Sequence, residues 1–550
     1  MSARLPLGAL PQPSRLSEFA VPPDPAGQLL ALLEGALDRI VSIGLHAAVA
    51  LALGSLAARL LRRCGLRWSW SLLPLVLLAP TRPLLHGWSA TLCLAALSAA
   101  VSGRRRHRED LAAGGDLAES ARARRGPASF ARRALVALWA TRRARRGPAA
   151  IGRSGLEIGR DGSARAVTIP FGRSAGHHTL VVGATGSGKT VTQTWIAERA
   201  IEAAYSVVVV DPKGDRRMRD ALAAAARASG RRFVEWTPEG PWIYNPFAWG
   251  GPSEIADRAL VGERFTEPHY QRQAQRYLGH AVRMLRGAGI AVSFATLTAQ
   301  LDPEALERLS ETVADEHASR TREYLASLTP RQRSDLAGVR DRLAIVSESD
   351  VARWLDPENA EAESFDLLDA IESGAVVYFS LRADSWPLLA QMLGVAIVGD
   401  LRGVAASLQG DPRPSVVVID EFAALAAEQV SHLFGRARSA GINLVLATQE
   451  LSDLRVQTHR QLREQVLGNL SALIAHRQVV GESAELIAEL AGTVGCWRTS
   501  QASDGRWTRT RAAEPAISPE RIRALPPGAA AVLDLAGARP PRLARIHAGR

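Results

Sequence analysis

The chain reads as an α/β protein, with a parallel sheet covered by helices, an all-helical domain inserted into it, and transmembrane helices at the N-terminus. Three observations carry this reading. From about residue 150, short apolar runs alternate with segments of helical period, the pattern of a sheet buried on both faces. Between one such run and a helical segment stands a complete G-x-x-x-x-G-K-[ST] stretch, Gly183 to Thr190. Upstream, Val41–Ala58 and Leu84–Val101 are each 18 residues without a formal charge.

The first residues are Pro-rich and lack the charged-then-apolar layout of a signal peptide. As helices, the two uncharged runs reach about 27 Å each, enough for a bilayer core. Arg104, Arg105, Arg106 and Arg108 follow the second run at once, which favours membrane spans over core helices and puts that side in the cytoplasm. Arg62, Arg63 and Arg67 lie between the spans and run against this rule. Ser71–Pro80 is apolar but too short to span. The expected arrangement is a multi-pass inner-membrane protein, with residues 1–102 as the membrane region and both ends inside.

Residues 103–149 form a basic juxtamembrane segment. Gly103–Pro148 holds 13 Arg against 4 acidic residues. Phe130, Leu135, Leu138 and Trp139 alternate with Arg132, Arg133, Arg142 and Arg143, as in an amphipathic segment lying on anionic lipid; a solvated linker is the alternative. The net charge of +12 belongs to this end of the chain: residues 1–150 carry +13 and residues 151–550 carry −1. The high pI therefore does not mark the α/β part as a basic nucleic-acid binder. Lysine occurs only at Lys189 and Lys213, beside 65 arginines; the reading is that a compact ammonium is wanted at these places, with chance as the alternative. Cys64, Cys93 and Cys496 form no CxxC pair, and a zinc site or disulfide framework is not expected.

The α/β domain is expected over 150–248 and 365–550. Its strands are Leu180–Val182, Val207–Val210, Ala375–Leu381, Ser415–Asp420 and Asn443–Ala447. The helical domain is expected over 249–364. Within it Asp302-Pro303 and Thr329-Pro330-Arg331-Gln332 are helix starts, and Leu336, Val339, Leu343 and Val346 fall on one face.

The chemistry is concentrated at strand ends. Gly183, Ala184, Thr185, Gly186, Ser187, Gly188, Lys189 and Thr190 form a loop whose backbone N–H groups curl around phosphates, with a helix N-terminus aimed at the same anion. Lys189 is expected on the β- and γ-phosphates of ATP and Thr190 on Mg²⁺. The apolar run Val416–Ile419 ends in Asp420 and Glu421. Asp420 is expected to hold Mg²⁺ through water and Glu421 to polarise the attacking water. Gln449, at the end of Asn443–Thr448, is placed to sense the γ-phosphate or that water.

In this order the elements resemble the FtsK/HerA-type ring motors, RecA-like P-loop ATPases, and among them the conjugative type IV coupling proteins of TraD/TraG type. The stretches that carry the resemblance are His178–Thr190, Asp211-Pro212-Lys213-Gly214-Asp215, Tyr244-Asn245-Pro246-Phe247, Val416–Phe422, Gly441–Gln449 and Leu467-Gly468-Asn469. It spans roughly residues 150–500. The resemblance implies a homo-hexamer at the inner membrane that passes DNA, with its bound relaxase, to secretion-channel proteins. It also implies a trans-acting role for Arg438, with Arg436 as the near competitor. Two features depart from the family: a short stretch between the spans, and an end soon after the last strand. The same motor delivering protein effectors, an FtsK-like pump on double-stranded DNA and a non-enzymatic membrane scaffold are the competing readings. The four intact residues Lys189, Thr190, Asp420 and Glu421 speak against the scaffold.

Overall fold

The computed structural model describes residues 25–63, 68–73, 88–112, 151, 155–261, 265, 267–425, 427–455, 461–501, 507–537 and 539–548. The chain divides into two compact units, residues 1–136 and 137–550.

In the first unit a helix runs over Pro25–Arg63 and another over Trp88–Ala112. Residues Ala26–Leu61 are long and apolar enough to cross a membrane, with mean hydropathy 2.0. The leucines of this helix point outward, Leu29 and Leu32 among them, while Ala50 and Ala58 are buried along with Ala95 and Ala99 of the second helix. A Cβ on Gly54 would lie 2.5 Å from Ser98 Oγ and 2.6 Å from the Ala95 carbonyl oxygen. Small residues thus let the two backbones approach closely, which is how helices associate in lipid. Of the second expected span, Trp88–Val101 lies in the helix Trp88–Ala112, which runs on through Arg104 and Arg105. Leu84–Gly87 and the basic segment beyond Ala112, with Phe130 to Arg143, lie outside the described residues.

The second unit is built on a sheet whose described strands follow the order β2-β1-β15-β14-β11-β3-β10-β9-β4-β8-β5. Seven of these are mutually parallel: β11 (Ala472–Ala475), β3 (Thr179–Val182), β10 (Ile442–Thr448), β9 (Ser415–Ile419), β4 (Ser206–Asp211), β8 (Val376–Ser380) and β5 (Phe233–Trp236). The expected parallel sheet is present and is extended at one edge. On the β11 side, β14 (Ala529–Asp534), β15 (Arg542–Ile546), β1 (Leu156–Asp161) and β2 (Ala166–Ile169) continue it antiparallel. The reason is the length of the links: β1 to β2 and β14 to β15 are joined by short turns, which have no room for the crossover a parallel pair requires.

Strand period two sorts the side chains. Val207 and Val209 face one core, with Ile196, Ala200, Met218 and Leu222 from the helices Lys189–Glu202 and Arg216–Ala228. Val208 and Val210 face the other, which runs without a break into the helical block. That block comprises Pro252–Leu260, Pro268–Gly287, Phe294–Gln300, Pro303–Thr312, Glu316–Ala326 and Pro330–Ser347. Asp302 caps its helix by accepting from the Glu304 amide, and Thr329 and Gln332 form a capping box. Leu336, Val339, Leu343 and Val346 are all buried.

The chain enters and leaves the block through a two-stranded parallel pair, β6 (Ile243–Tyr244) with β7 (Ser364–Phe365), which the sequence did not reveal. Tyr244 also donates to buried Asp400 at 2.8 Å, and Arg258 completes the cluster at 3.2 Å. Burial raises the Asp400 carboxyl to about 7. These contacts tie the block to the helix Pro387–Ser407, which is also long and apolar enough to span a membrane but is 78% buried, as a core helix is. A further unforeseen element is the antiparallel ribbon β12 (Thr493–Gln501) and β13 (Trp507–Pro515).

Candidate active site at the strand tips

The sheet order decides which loops meet. β10 lies between β3 and β9, with Thr448 opposite Val182 and Leu446 opposite Ile419. The residues that follow these strands, Gly183, Gln449 and Asp420-Glu421, therefore emerge side by side at the C-terminal edge, where ligands of α/β sheets bind. The Gly183 amide donates to the Gln449 carbonyl at 3.1 Å, and the Asp420 amide donates to the Val210 carbonyl at 3.0 Å.

The glycine loop has the shape its sequence requires. Gly186 and Gly188 have φ of +74° and +116°, a region closed to most side chains. A Cβ on Gly183 would lie 2.5 Å from Ser187 Oγ and 2.6 Å from His476 Cβ. The helix Lys189–Glu202 starts directly after Gly188 and has no side-chain cap, so its first N–H groups remain for an anion. Ser187 Oγ is buried without a protein partner. Lys189 donates to the Gly183 carbonyl at 2.6 Å. Burial lowers its pKa, against the raising influence of Glu421 and Asp420. A buried ammonium, an orphaned hydroxyl and an uncapped helix start fit a polyphosphate.

On the other side of Gln449 stand the carboxylates. Asp420 is 5% exposed. Its pKa is raised by burial, while a 2.8 Å bond from Gln193 Nε2 works the other way. Glu421 has φ +45°, so the chain turns sharply where the strand ends. Its Oε1 accepts from Lys213 Nζ at 2.8 Å and from Gln449 Nε2 at 3.2 Å. The Lys213 pKa is raised: burial alone would lower it, but the bond and charge of Glu421, with Asp420 and Asp211, outweigh that. With Thr190 at the helix start, Asp420 is the oxygen donor suited to a hard divalent cation.

Arg438 sits elsewhere. It ends the helix Phe434–Ser439 ahead of β10, is exposed, and donates to the Asn469 carbonyl at 3.3 Å. The length of β10, at about 3.3 Å per residue, separates it from the glycine loop of its own chain by roughly 20 Å. Arg436 is at the same edge.

Several contributors escaped sequence reading. Gln193 is four residues after Lys189 on the same helix face, a spacing that could have flagged it. His476 is the first polar residue after β11. Its Nδ1 donates to the Ala529 carbonyl at 3.0 Å and its Nε2 meets Thr192 Oγ1 at 2.8 Å, so the ring braces the glycine loop from below. Burial lowers its pKa to about 4. The same strand-tip logic that selected Gln449 would have found it. Gly528, whose amide donates to the Ser187 carbonyl at 2.9 Å, gave no local signal.

Comparison with known proteins agrees with this architecture. Residues 156–373 match the family model for the central domain of the helicase HerA, and residues 414–527 match that for the TraM recognition site of TraD and TraG. No curated protein matches the chain in sequence. Among solved structures, a bacterial conjugative coupling protein, TrwBΔN70, is 20% identical, with 72% of this chain and 91% of that one covered and a TM-score of 0.54. The plasmid coupling protein TrwB in complex with ADP and Mg²⁺ is also 20% identical, with 68% and 86% covered and a TM-score of 0.52. The similarity to these structures is one of fold.

Proposed function

We propose that this TraD/TraG-like P-loop ATPase is a membrane-anchored ring motor that couples ATP hydrolysis to transfer of a relaxase-bound DNA single strand into a conjugative secretion channel. The observation that carries the reading is the convergence of three adjacent strand tips, β3, β10 and β9, which brings the glycine loop, Gln449 and the Asp420-Glu421 carboxylates together at one sheet edge. Gly183 to Thr190 cradle the nucleotide phosphates, and Lys189 leaves the Gly183 carbonyl for the β- and γ-phosphates. Thr190 and, through water, Asp420 hold Mg²⁺, which supplies charge neutralisation of the phosphates when bound. Glu421 polarises the attacking water, and Gln449 links that carboxylate to the γ-phosphate position. Arg438, far from its own site, serves the nucleotide of the next subunit in a head-to-tail homo-hexamer.

Residues 1–102 anchor the ring in the inner membrane and 103–149 lie against its cytoplasmic lipid. Residues 150–248 and 365–550 form the motor domain, and 249–364 form a helical domain that reads the cargo. The partners are DNA with its relaxase and the proteins of the channel.

The test is ATP turnover by the full chain in lipid nanodiscs, with single-stranded DNA, double-stranded DNA or neither. Turnover rising several-fold with single strands alone supports the proposal. No turnover under any condition removes the enzyme reading. Turnover indifferent to DNA removes the DNA cargo and leaves protein delivery.

A further inference from the structure

We propose that Lys213 is a positioning residue for hydrolysis, holding the Glu421 carboxylate by one oxygen so that the other stays free for the attacking water. The proposal rests on the reading of Glu421 as the group that polarises that water.

Glu421 begins with a backbone at φ +45°, which L residues seldom adopt, and its side chain is 11% exposed. Two donors from different strand tips, Lys213 Nζ and Gln449 Nε2, meet on the same atom, Oε1. The carboxylate is thereby oriented while the lone pairs of Oε2 remain available.

Lys213 is itself held by its main chain. Asp211 at the end of β4 accepts from the Lys213 amide at 2.8 Å and from the Asp215 amide at 2.6 Å, and Tyr378 of β8 donates to the same carboxylate. Gly214 has φ +71°, and a Cβ there would lie 2.5 Å from Ser380 Oγ, so the loop lies tight against the tip of β8. The ammonium thus reaches Glu421 from a fixed base even though its side chain is 59% exposed.

The charge balance gives Lys213 a second reason to be there. Asp211, Asp420 and Glu421 crowd the tips of β4 and β9; Glu421 and Asp420 act on both Lys189 and Lys213, and Asp211 acts on Lys213 as well. Once Lys189 turns to phosphate, Lys213 is the ammonium that remains with Glu421. The choice of residue supports this: a chain with 65 arginines keeps a lysine here. A guanidinium fork engages both oxygens of a carboxylate, whereas an ammonium acts as a point charge on one. Arginine at 213 would occupy Oε2, the atom the water needs.

Because the chain has only two lysines, reductive ¹³C-dimethylation of the full chain labels Lys189, Lys213 and the α-amino group, and a dimethylated ammonium keeps one N–H to donate. Without nucleotide, Glu421→Gln should displace the Lys213 resonance, assigned with Lys213→Arg. An unmoved resonance overturns the contact. In turnover assays both Lys213→Met and Lys213→Arg should lose at least tenfold in kcat, with the affinity for a fluorescent ATP analogue unchanged within about twofold. Wild-type turnover in Lys213→Arg would reduce the role to charge alone and overturn the proposal. So would an affinity loss as large as the loss in kcat. If the wild-type chain hydrolyses nothing, the underlying reading of Glu421 fails and takes the positioning role with it, whatever the resonance shows.

Discussion

Lowering the pH from about 7.5 to about 4.5 should cost the sheet about 2.5 kcal/mol through one side chain, His178. The ring is fully buried between the start of β3 and the helix Phe434–Ser439. Its Nε2 is 3.0 Å from the Phe434 carbonyl, which can only accept, and its Nδ1 is 3.4 Å from the Leu444 amide, which can only donate. The neutral Nε2–H tautomer satisfies both, and a second proton on Nδ1 would point at an N–H. Burial accordingly lowers the pKa to about 4, the Phe434 bond opposing and Arg438 assisting. Relative to an unfolded value near 6.5, this stability is complete above the unfolded pKa and drains away as pH falls toward the folded one. The full span is about 3 kcal/mol, of which about 2.5 is gone at pH 4.5. His178→Gln keeps a donor at Nε2 and does not titrate, so it isolates the effect from the carboxylates that also protonate. The assay is hydrogen exchange of the β10 peptide, which contains Leu444, compared between the two proteins at each pH. At pH 7.5 the variant should be less protected, having lost one acceptor. By pH 4.5 the ratio of wild-type to variant protection should have fallen by about 70-fold. A ratio that stays constant between the two pH values refutes the assignment of a neutral, acid-labile His178.

Three further outcomes test the motor. Glu421→Gln should bind a fluorescent ATP analogue like the wild type while its turnover falls by about 10² or more, because the amide is isosteric but a poor base; loss of binding as well would make that carboxylate structural. Arg438→Ala and Lys189→Ala should each be inactive, yet mixing them should restore part of the turnover, most near equal proportions, because some junctions then pair an intact loop with an intact arginine. No restoration in rings shown to be mixed, or an active Arg438→Ala alone, rules the trans role out. Deletion of residues 1–102 should move the chain from the membrane fraction to the soluble one at high salt, where residual attraction of the basic segment is screened; tight retention would place the anchor elsewhere.

Much of the site was legible because its signals are local. A phosphate loop needs glycines at fixed spacing and a helix directly behind them, and both are contiguous in Gly183–Glu202. Asp420 and Glu421 were visible because a run of four apolar residues defines a buried strand and whatever polar groups follow it must emerge at the tip. Lys213 stood out by rarity, although nothing near it in the chain names its partner. The helical block announced itself through caps and period, and its boundary pair, Tyr244 with Phe365, did not. Two residues per strand carry too little pattern to be told from a loop.

What the sequence determined, then, is the identity of the strands, the helix directly behind the glycine loop and the acids at one strand end, each set by the conformational and burial demands of a few consecutive residues. Only the tertiary structure decided that β10 lies between β3 and β9, that the edge beyond β11 turns antiparallel, and that Lys213, Gln449 and Glu421 share one oxygen. Gln193 and Asp420 are 227 residues apart, and Thr192 and His476 are 284 apart. Short apolar strands buried on both faces are nearly interchangeable as sequences. Their order in the sheet is chosen by crossover connections and by packing of the two cores, and that choice brings the distant side chains within bonding distance.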